Sequence, residues 1–455
     1  MQGPIIVSRA GSSQRTYMGG ADTIAYHIFK ALSYYNPNVI YLILCTDCNS
    51  INILHQYRIT EIPIKHLRVH SFNFMSIDNV TILMRTVKVL QSLLREYGDF
   101  YVISMDPISL HYWIYAKKKL MRNGYNVRVL WCPGGNELTC PLHTEICPFS
   151  NSYTRTYGHC TSISTFFSRC IPHIVKSRGL NIYHTIVYPL LRREIINHID
   201  GVLASRSVYI EGCKLLGLKK CKLIGFGIDT EVFAPREKDE AIRRLSEKYE
   251  HIMTRNIWGD FDSFISNIRD KKTITLGFIG ATKPSWKNSE LLIKVFNDIS
   301  VDYDNVFLLI VAREANYLIP LISKLPEKSR RRIIVFDSVR HIYIPAFYNL
   351  VDIFVNPSLF DSLEINTLEA LVSGNIVLAS NRGCINDLKY LGIESYITFE
   401  PNKSSLYTAL IKLLENFDLY RAETLRHLDD VKQKLSLYLF GRRIMKALNE
   451  MFAGN

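Results

Sequence analysis

Asp361 and Glu369 are the residues whose types and spacing first suggest chemistry. They lie in VDIFVNPSLFDSLEINTLEALVSGNIVLAS, residues 351 to 380. An apolar run from Ile353 to Val355 ends at Pro357, a polar turn carries Asp361, and a helical pattern carries Glu369. Gly374 stops the helix, and a second apolar run, Ile376 to Ala379, follows. The order is strand, loop, helix, strand, with two carboxylates just beyond the end of the first strand. In open α/β sheets ligands bind at that edge. A phosphate there would meet the helix N-terminus, where free backbone N–H groups and the dipole favour an anion. The segment points to an enzyme that handles a phosphorylated ligand.

Elements able to position such a site recur along the chain. PIIVS (4–8) reads as a strand, and GADTIAYHIFKALSYY (20–35) as an amphipathic helix with Ile24, Ile28 and Leu32 on one face. VIYLILC (39–45) is a buried strand, and TILMRTVKVLQSLLREYG (81–98) a helix ending at Gly98. FYVISM (100–105) and NVRVLW (126–131) are further strands. Residues 136–190 are polar, Cys-rich and irregular, which suggests a large insertion over the edge of the first domain. The alternation resumes with GVLAS and KLIGF and passes a linker-like turn, GIDTEVFAP (227–235). Residues 236–272 are charged and helical in pattern, an insertion or a solvated arm. A second set runs through ITLGFIG (274–280), VFLLIVA (306–312), RIIVF (332–336), IFVNP, IVLAS and YITFEP (396–401). A helical stretch, 403–455, closes the chain.

Strands alternating with helices imply parallel sheets with right-handed crossovers. At 455 residues the chain exceeds one ordinary core, so two domains are expected. The pattern divides into an N-terminal domain over 1–225 and a second over 226–430. A last helix, 431–455, is expected to pack back on the first. A cleft between two such halves is a favoured place for a small molecule.

With 47% hydrophobic and 21% charged residues, the composition is that of a soluble globular protein. No apolar run approaches the roughly 18 residues of a spanning helix, and the N-terminus lacks the basic leader and long apolar core of a signal peptide. The expected location is cytoplasmic, with a peripheral place at the inner membrane face as the alternative that the basic clusters raise. The net charge of +13 gathers at Lys117 to Lys119 with Arg122, at Arg192–Arg193, at Lys219–Lys220 with Lys222, and at Arg330 to Arg332. These clusters read either as solvated helix faces or as a surface drawn to anionic lipid head groups. Nucleic acid is not expected as a partner, because no recognised motif or aromatic-basic alternation accompanies the charge. Of ten cysteines, Cys132, Cys140, Cys147, Cys160 and Cys170 share one stretch whose spacings do not match a structural zinc site. Cys45 and Cys48 form one isolated CxxC. Buried free thiols are the expected state in a reducing compartment, with disulfides the alternative for a hyperthermophile's protein.

Five stretches together resemble a known family. They are MGGADTIAYHIFKAL (18–32), FGIDTEVFAP (226–235), HIYIPAFYNLVDIFVNPSLFDSLEINTLEAL (341–371), SGNIVLASNRGCINDL (373–388) and YITFEPNKSSLYTALIKLLEN (396–416). In this order they are similar to the Gly-Gly loop, interdomain linker and donor-site blocks of GT-B glycosyltransferases. The particular group is family 4, the glycogen-synthase-like retaining enzymes. The resemblance implies an α/β protein of GT-B fold, with two doubly wound Rossmann-like domains facing a central cleft.

The same resemblance implies roles for individual residues. Asp361 and Glu369 match the family's Glu-x7-Glu motif. Glu369 would bind the nucleotide ribose hydroxyls, a task for a carboxylate that accepts two hydrogen bonds at once. Asp361 would face the donor sugar near its reacting carbon, one methylene shorter than the family's usual Glu. The backbone of Ser362, Leu363, Glu364 and Ile365 would offer N–H groups to the sugar and diphosphate, with Ser362 and Glu364 standing where two glycines are typical. A diphosphate-binding Arg and Lys are expected in the loop GFIGATKPSWKNSELL, which begins near Gly280. Ala281 replaces the Arg, Lys287 matches the Lys, and Lys283 is a substitute cation for the leaving diphosphate. Gly19 and Gly20 would let the backbone approach the donor phosphates. The family's sugar-contacting histidine has no counterpart; Trp131 or Cys132 stands nearby. Asp106 and His111 follow a first-domain strand and would face the acceptor.

The implied reaction is transfer of a hexose-type sugar from a UDP- or GDP-linked donor to a glycan, lipid-linked or polysaccharide acceptor, with retention. The donor phosphate itself would take the acceptor's proton on the face of departure, and no catalytic metal or other cofactor is expected. DFD (260–262) and DYD (302–304) match the DxD pattern of metal-dependent transferases. The first lies in the charged arm and the second precedes a strand, at the wrong sheet edge for ligand binding. A degenerate transferase that binds without turnover is the alternative, raised by Ala281, Ser362 and Glu364.

Overall fold

The computed structural model describes residues 4–11, 20–45, 52–54, 59–63, 99–105, 107–133, 194–247, 252–281, 287–359, 364–382 and 384–453. The chain forms two compact units, Met1–Gly227 with Leu437–Asn455, and Ile228–Ser436. The expected helix 81–98 and the Cys-rich stretch lie outside the described residues.

In the first unit the sheet runs β3-β4-β2-β1-β5-β6-β7-β8. The strands are β1 (Ile5–Gly11), β2 (Val39–Cys45), β3 (Asn52–Leu54), β4 (Ile59–Pro63), β5 (Asp99–Ser104), β6 (Asn126–Trp131), β7 (Gly201–Ala204) and β8 (Cys221–Leu223). All neighbouring pairs are parallel except β3 with β4. Ile5, Ile6, Val7, Tyr41, Leu42 and Ile43 are fully buried, the near-continuous apolar run that a sheet covered on both faces requires. The principal helices are α1 (Gly20–Ser33), α2 (Pro107–Arg122) and α3 (Ser207–Leu215). The last helix of the chain, α11 (Leu437–Phe452), also belongs to this unit and packs on α1. Their crossing needs glycine: a Cβ on Gly441 would lie 2.2 Å from the Ala31 carbonyl oxygen. Arg443 anchors the same helix by donating to the carbonyls of Ile224 (2.8 Å) and Phe226. Burial lowers the pKa of that guanidinium to about 10. Cys213 and Cys221 are joined by a disulfide between α3 and β8, where free thiols were expected, whereas Cys132 is a buried free thiol.

The second unit is a seven-stranded sheet in the order β15-β14-β13-β10-β11-β12-β9. Its strands are β9 (Asn256–Trp258), β10 (Ile274–Ala281), β11 (Val306–Arg313), β12 (Ile333–Asp337), β13 (Ile353–Asn356), β14 (Ile376–Ser380) and β15 (Ile397–Phe399). Only β9 is antiparallel to its neighbour. Its helices are α4 (Lys238–Ser246), α5 (Phe261–Ile268), α6 (Ser289–Asp302), α7 (Ile344–Tyr348), α8 (Ile365–Val372), α9 (Lys403–Glu415) and α10 (Phe417–Leu435), with short helical turns between. Leu276, Phe278, Leu308, Ile310, Ile353, Val355 and Leu378 form one continuous core with α6 and α9. Burying each such side chain stabilises by about 1.5–3 kcal/mol.

The stretch 236–272 is not a solvated arm. Phe261, Phe264, Ile265 and Ile268 of α5 are buried, and β9 pairs with β12 as the sheet edge. The two DxD matches have structural work. Asp260 caps α5 by accepting from the Ser263 amide at 3.1 Å, while Asp302 ends α6 and Asp304 pairs with Lys328 at 2.8 Å. Strand order reverses at β10, flanked by β11 and β13. The carboxyl ends of β10 and β13 are therefore the topological switch point, where open α/β sheets bind ligands.

Candidate functional site in the second unit

Backbone strain gathers at that edge. Among the described residues, four that are not glycine have positive φ: Asn288, Glu314, Ser338 and Glu364, at 52°, 62°, 55° and 30°. They follow β10, β11, β12 and β13 in turn, all at the carboxyl edge of one sheet. Conformations of this kind cost about 1–3 kcal/mol each and cluster at functional sites. Asn288 and Glu364 are the residues from which α6 and α8 start, so two helix N-termini open onto the switch point.

The two helix starts are tied to the sheet and the loops. The Asn288 side chain donates to the Pro357 carbonyl at 3.2 Å, joining the start of α6 to the loop after β13. Asn366, in the first turn of α8, donates to the Ile279 carbonyl at 2.8 Å near the end of β10. A Cβ on Gly280 would stand 3.3 Å from that Asn366 amide nitrogen. Below the loop, Asn356 donates to Thr367 at 2.8 Å and accepts from the Ser358 hydroxyl at 2.5 Å. Ser380 donates to the Ser358 carbonyl at 2.5 Å. Asn356, Ser358, Thr367 and Ser380 are all buried, so they fix the path on which the chain leaves β13.

Glu369 is the centre of the site. It lies in α8, a helix buried on nearly all sides, and is itself only 4% exposed. Its Oε2 accepts from the Tyr348 hydroxyl at 2.9 Å, and its Oε1 stands 3.5 Å from His341 Nε2. Tyr348 is fully buried; burial, then the charge of Glu369 and the hydrogen bond to it, push its pKa well above the ordinary value, so the phenol stays neutral. Burial works against a charged His341, but the hydrogen bond to Glu369 and its charge outweigh it and raise the His341 pKa. A carboxylate held by two donors in a dry setting is oriented, and its free lone pairs can still accept from a vicinal diol.

The other sequence candidates divide by position. Glu364, 2% exposed, is folded into the protein, and Ile365 begins α8. Lys287 is half-buried and directly precedes the Asn288 cap, so the structure brings Lys287, Gly280, Glu364, Ile365 and Glu369 to one sheet edge. Ala281, where a cation was expected, ends β10. Asp361, Ser362, Leu363, Lys283, Gly19 and Asp106 lie outside the described residues. In the first unit, Gly20 begins α1 and His111 sits in the first turns of α2. Trp131 and Cys132 are both buried, and burial pushes the Cys132 thiol up to about 12. Sequence reasoning missed Tyr348 and His341. Both stand in the stretch 341–371 that carried the resemblance, and a polar ring next to an apolar run was the available signal.

Among the described residues no group of three His, Cys, Asp or Glu could hold a metal ion, and no helix is long and apolar enough to cross a membrane.

Comparison with known proteins agrees with this fold. Residues 273–416 match the family model of group 1 glycosyl transferases, a span containing β10 to α9 and every described residue of the site. No curated protein matches the chain in sequence. Sucrose-phosphate synthase from Thermosynechococcus elongatus superposes with a TM-score of 0.63 at 15% identity, covering 98% of this chain and 100% of that one. HepE from Anabaena, solved with UDP, gives 0.60 at 13% identity, over 98% and 100% of the two chains. The UDP-forming trehalose-phosphate synthase from Burkholderia xenovorans, solved with glucose-6-phosphate, gives 0.62 at 11% identity, over 98% and 100%. The fold is GT-B, with two Rossmann-like domains.

Proposed function

We propose that this chain, whose residues 273–416 carry the group 1 glycosyl transferase signature, transfers a hexose-type sugar from a nucleoside diphosphate sugar to a glycan, lipid-linked or polysaccharide acceptor. The observation that supports it is Glu369, a buried carboxylate at the switch-point edge, held by Tyr348 and His341 and able to accept both ribose hydroxyls. The diphosphate would lie at the N-terminus of α8, where the first-turn amides and the dipole favour it, with Lys287 as an aimed cation. Asp361, which falls between β13 and α8 in the sequence, would face the sugar. Transfer proceeds with retention: the bond from the anomeric carbon to the phosphate oxygen breaks, the acceptor oxygen bonds to that carbon on the same face, and the departing phosphate takes the acceptor's proton. No catalytic metal enters this scheme. HepE was solved with UDP, which makes UDP the first nucleotide to test.

A binding protein without turnover is the second reading, favoured by Ala281 at the end of β10, where a cation would have served the leaving group. A thermal-shift panel of UDP, GDP and ADP with their sugars separates the two. One nucleotide is expected to stabilise the wild type and not Glu369→Gln, and its sugar is expected to be consumed. Stabilisation by the nucleotide with no sugar consumed across an acceptor panel would favour the second reading, and response to none would remove the donor site. Peripheral membrane attachment through the basic clusters is tested by retention on anionic vesicles at physiological salt.

A further inference from the structure

The segment that opens the second unit reaches the Glu369 site directly. Asp229 shapes the turn, accepting from the Phe233 amide through its carbonyl at 2.9 Å and from the Val232 amide through its carboxylate at 3.4 Å. Asn349 then brackets the chain around Pro235: it donates to the Ala234 carbonyl at 3.2 Å and accepts from the Arg236 amide at 2.9 Å. Because Asn349 directly follows Tyr348, this bracket fixes Phe233 against the residue that holds Glu369. Phe233 is 1% exposed, and its ring meets both partners of the carboxylate edge to face. The centroid lies 5.8 Å from His341 at 70° and 5.9 Å from Tyr348 at 73°. Contacts of that geometry are directional, so they restrict the rotamers of both rings as well as filling space.

We propose that Phe233 is a positioning residue for the nucleotide site: by wedging His341 and Tyr348 against Glu369, it sets the orientation in which that carboxylate receives the ribose. The inference rests on reading Glu369 as the ribose acceptor. Phe233 stands five residues after Ile228, where the chain enters this unit beside its exit at Ser436. An apolar side chain near the start of this unit thus acts on the carboxylate through the two rings it packs against.

The test joins two measurements on the full chain. An NMR titration follows the His341 imidazole, its signal assigned by its loss in His341→Gln, in wild type and Phe233→Leu; nucleotide titrations cover wild type, Phe233→Leu, Glu369→Gln and the variant carrying both substitutions. Phe233→Met, which keeps the bulk without the ring edges, serves if the Leu variant does not fold. In the Phe233 variant the raised His341 pKa should fall back towards its ordinary value. Nucleotide affinity should drop about ten- to hundredfold, as small misplacements of a binding group do. That affinity penalty should vanish in a Glu369→Gln background, which a purely structural role would not produce. An unchanged His341 titration overturns the proposal, as does an affinity penalty that persists without the carboxylate. If His341 responds but the wild type binds no nucleotide, Phe233 positions the pair and the transferase reading fails instead.

Discussion

Tyr348→Phe removes one hydroxyl and leaves the ring. That hydroxyl is fully buried, 2.9 Å from Glu369 Oε2 and 3.0 Å from the Asn366 carbonyl. One proton serves two acceptors, and the ionised one is the stronger draw. A buried hydrogen bond to a charged group is worth about 1.5–3 kcal/mol, because its removal leaves the ion without a donor that water cannot replace. For a protein of about 150–250 residues each kcal/mol moves Tm by about 2–4 °C, so the substitution should lower the melting temperature of the second unit by about 3–12 °C. Tyr317→Phe supplies the matched control. Its hydroxyl also bonds a carboxylate, Glu290, but Tyr317 is 49% exposed, and the loss should stay within about 0.5 kcal/mol. Urea and thermal unfolding of the two variants measure the difference, and nucleotide titration of Tyr348→Phe adds a functional readout. Equal losses for the two variants would refute the reasoning, since burial and charge would then add nothing. So would full nucleotide affinity in Tyr348→Phe, since Glu369 would then need no orienting donor.

Three further outcomes follow from the same structure. The raised pKa of His341 means that its contribution to stability is fully present below the unfolded value of about 6.5 and fades as pH rises through the folded value. The stability gap between wild type and His341→Gln should therefore be widest in mild acid and close above neutrality; a gap that widens with pH contradicts the pairing. Asp260→Ala should cost about 0.5–2 kcal/mol through the lost cap of α5 and leave sugar transfer intact, with or without a chelator. Loss of transfer restored by manganese would return the DxD reading. Gly277→Ala should destabilise by about 1–3 kcal/mol, as overpacking does, because its Cβ would stand 2.3 Å from Val351 Cγ2; near-wild-type unfolding would mean that β10 and Val351 yield easily.

Both sheets are legible in the sequence where strands are long and buried. VIYLILC and IVLAS match β2 and β14 residue for residue, because a parallel strand covered on both faces is an unbroken apolar run. β9 escapes notice because three residues, Asn256–Trp258, sit among charges and gain their place only by pairing with β12. The helical pattern of α5 was readable, but its burial was hidden by the same charges, although Phe261, Phe264, Ile265 and Ile268 keep helical spacing. At the site, Glu369 was readable because its helix follows a strand at a ligand edge. Its partners were not: His341 and Tyr348 precede β13 on short helical turns, and only the tertiary fold brings them to α8. The left-handed backbone at Asn288 and Glu364 was not read either, although asparagine favours that region and Glu364 stands where the resemblance places a glycine.

The central claim is that Glu369 receives the ribose hydroxyls of a nucleoside diphosphate. Calorimetric titration of wild type and Glu369→Gln with the responding nucleotide and its 2′,3′-dideoxy analogue addresses it directly. The account predicts that wild type binds the parent nucleotide far more tightly than the analogue, and that Glu369→Gln binds both weakly and nearly alike. Equal affinity of wild type for the two nucleotides would contradict it.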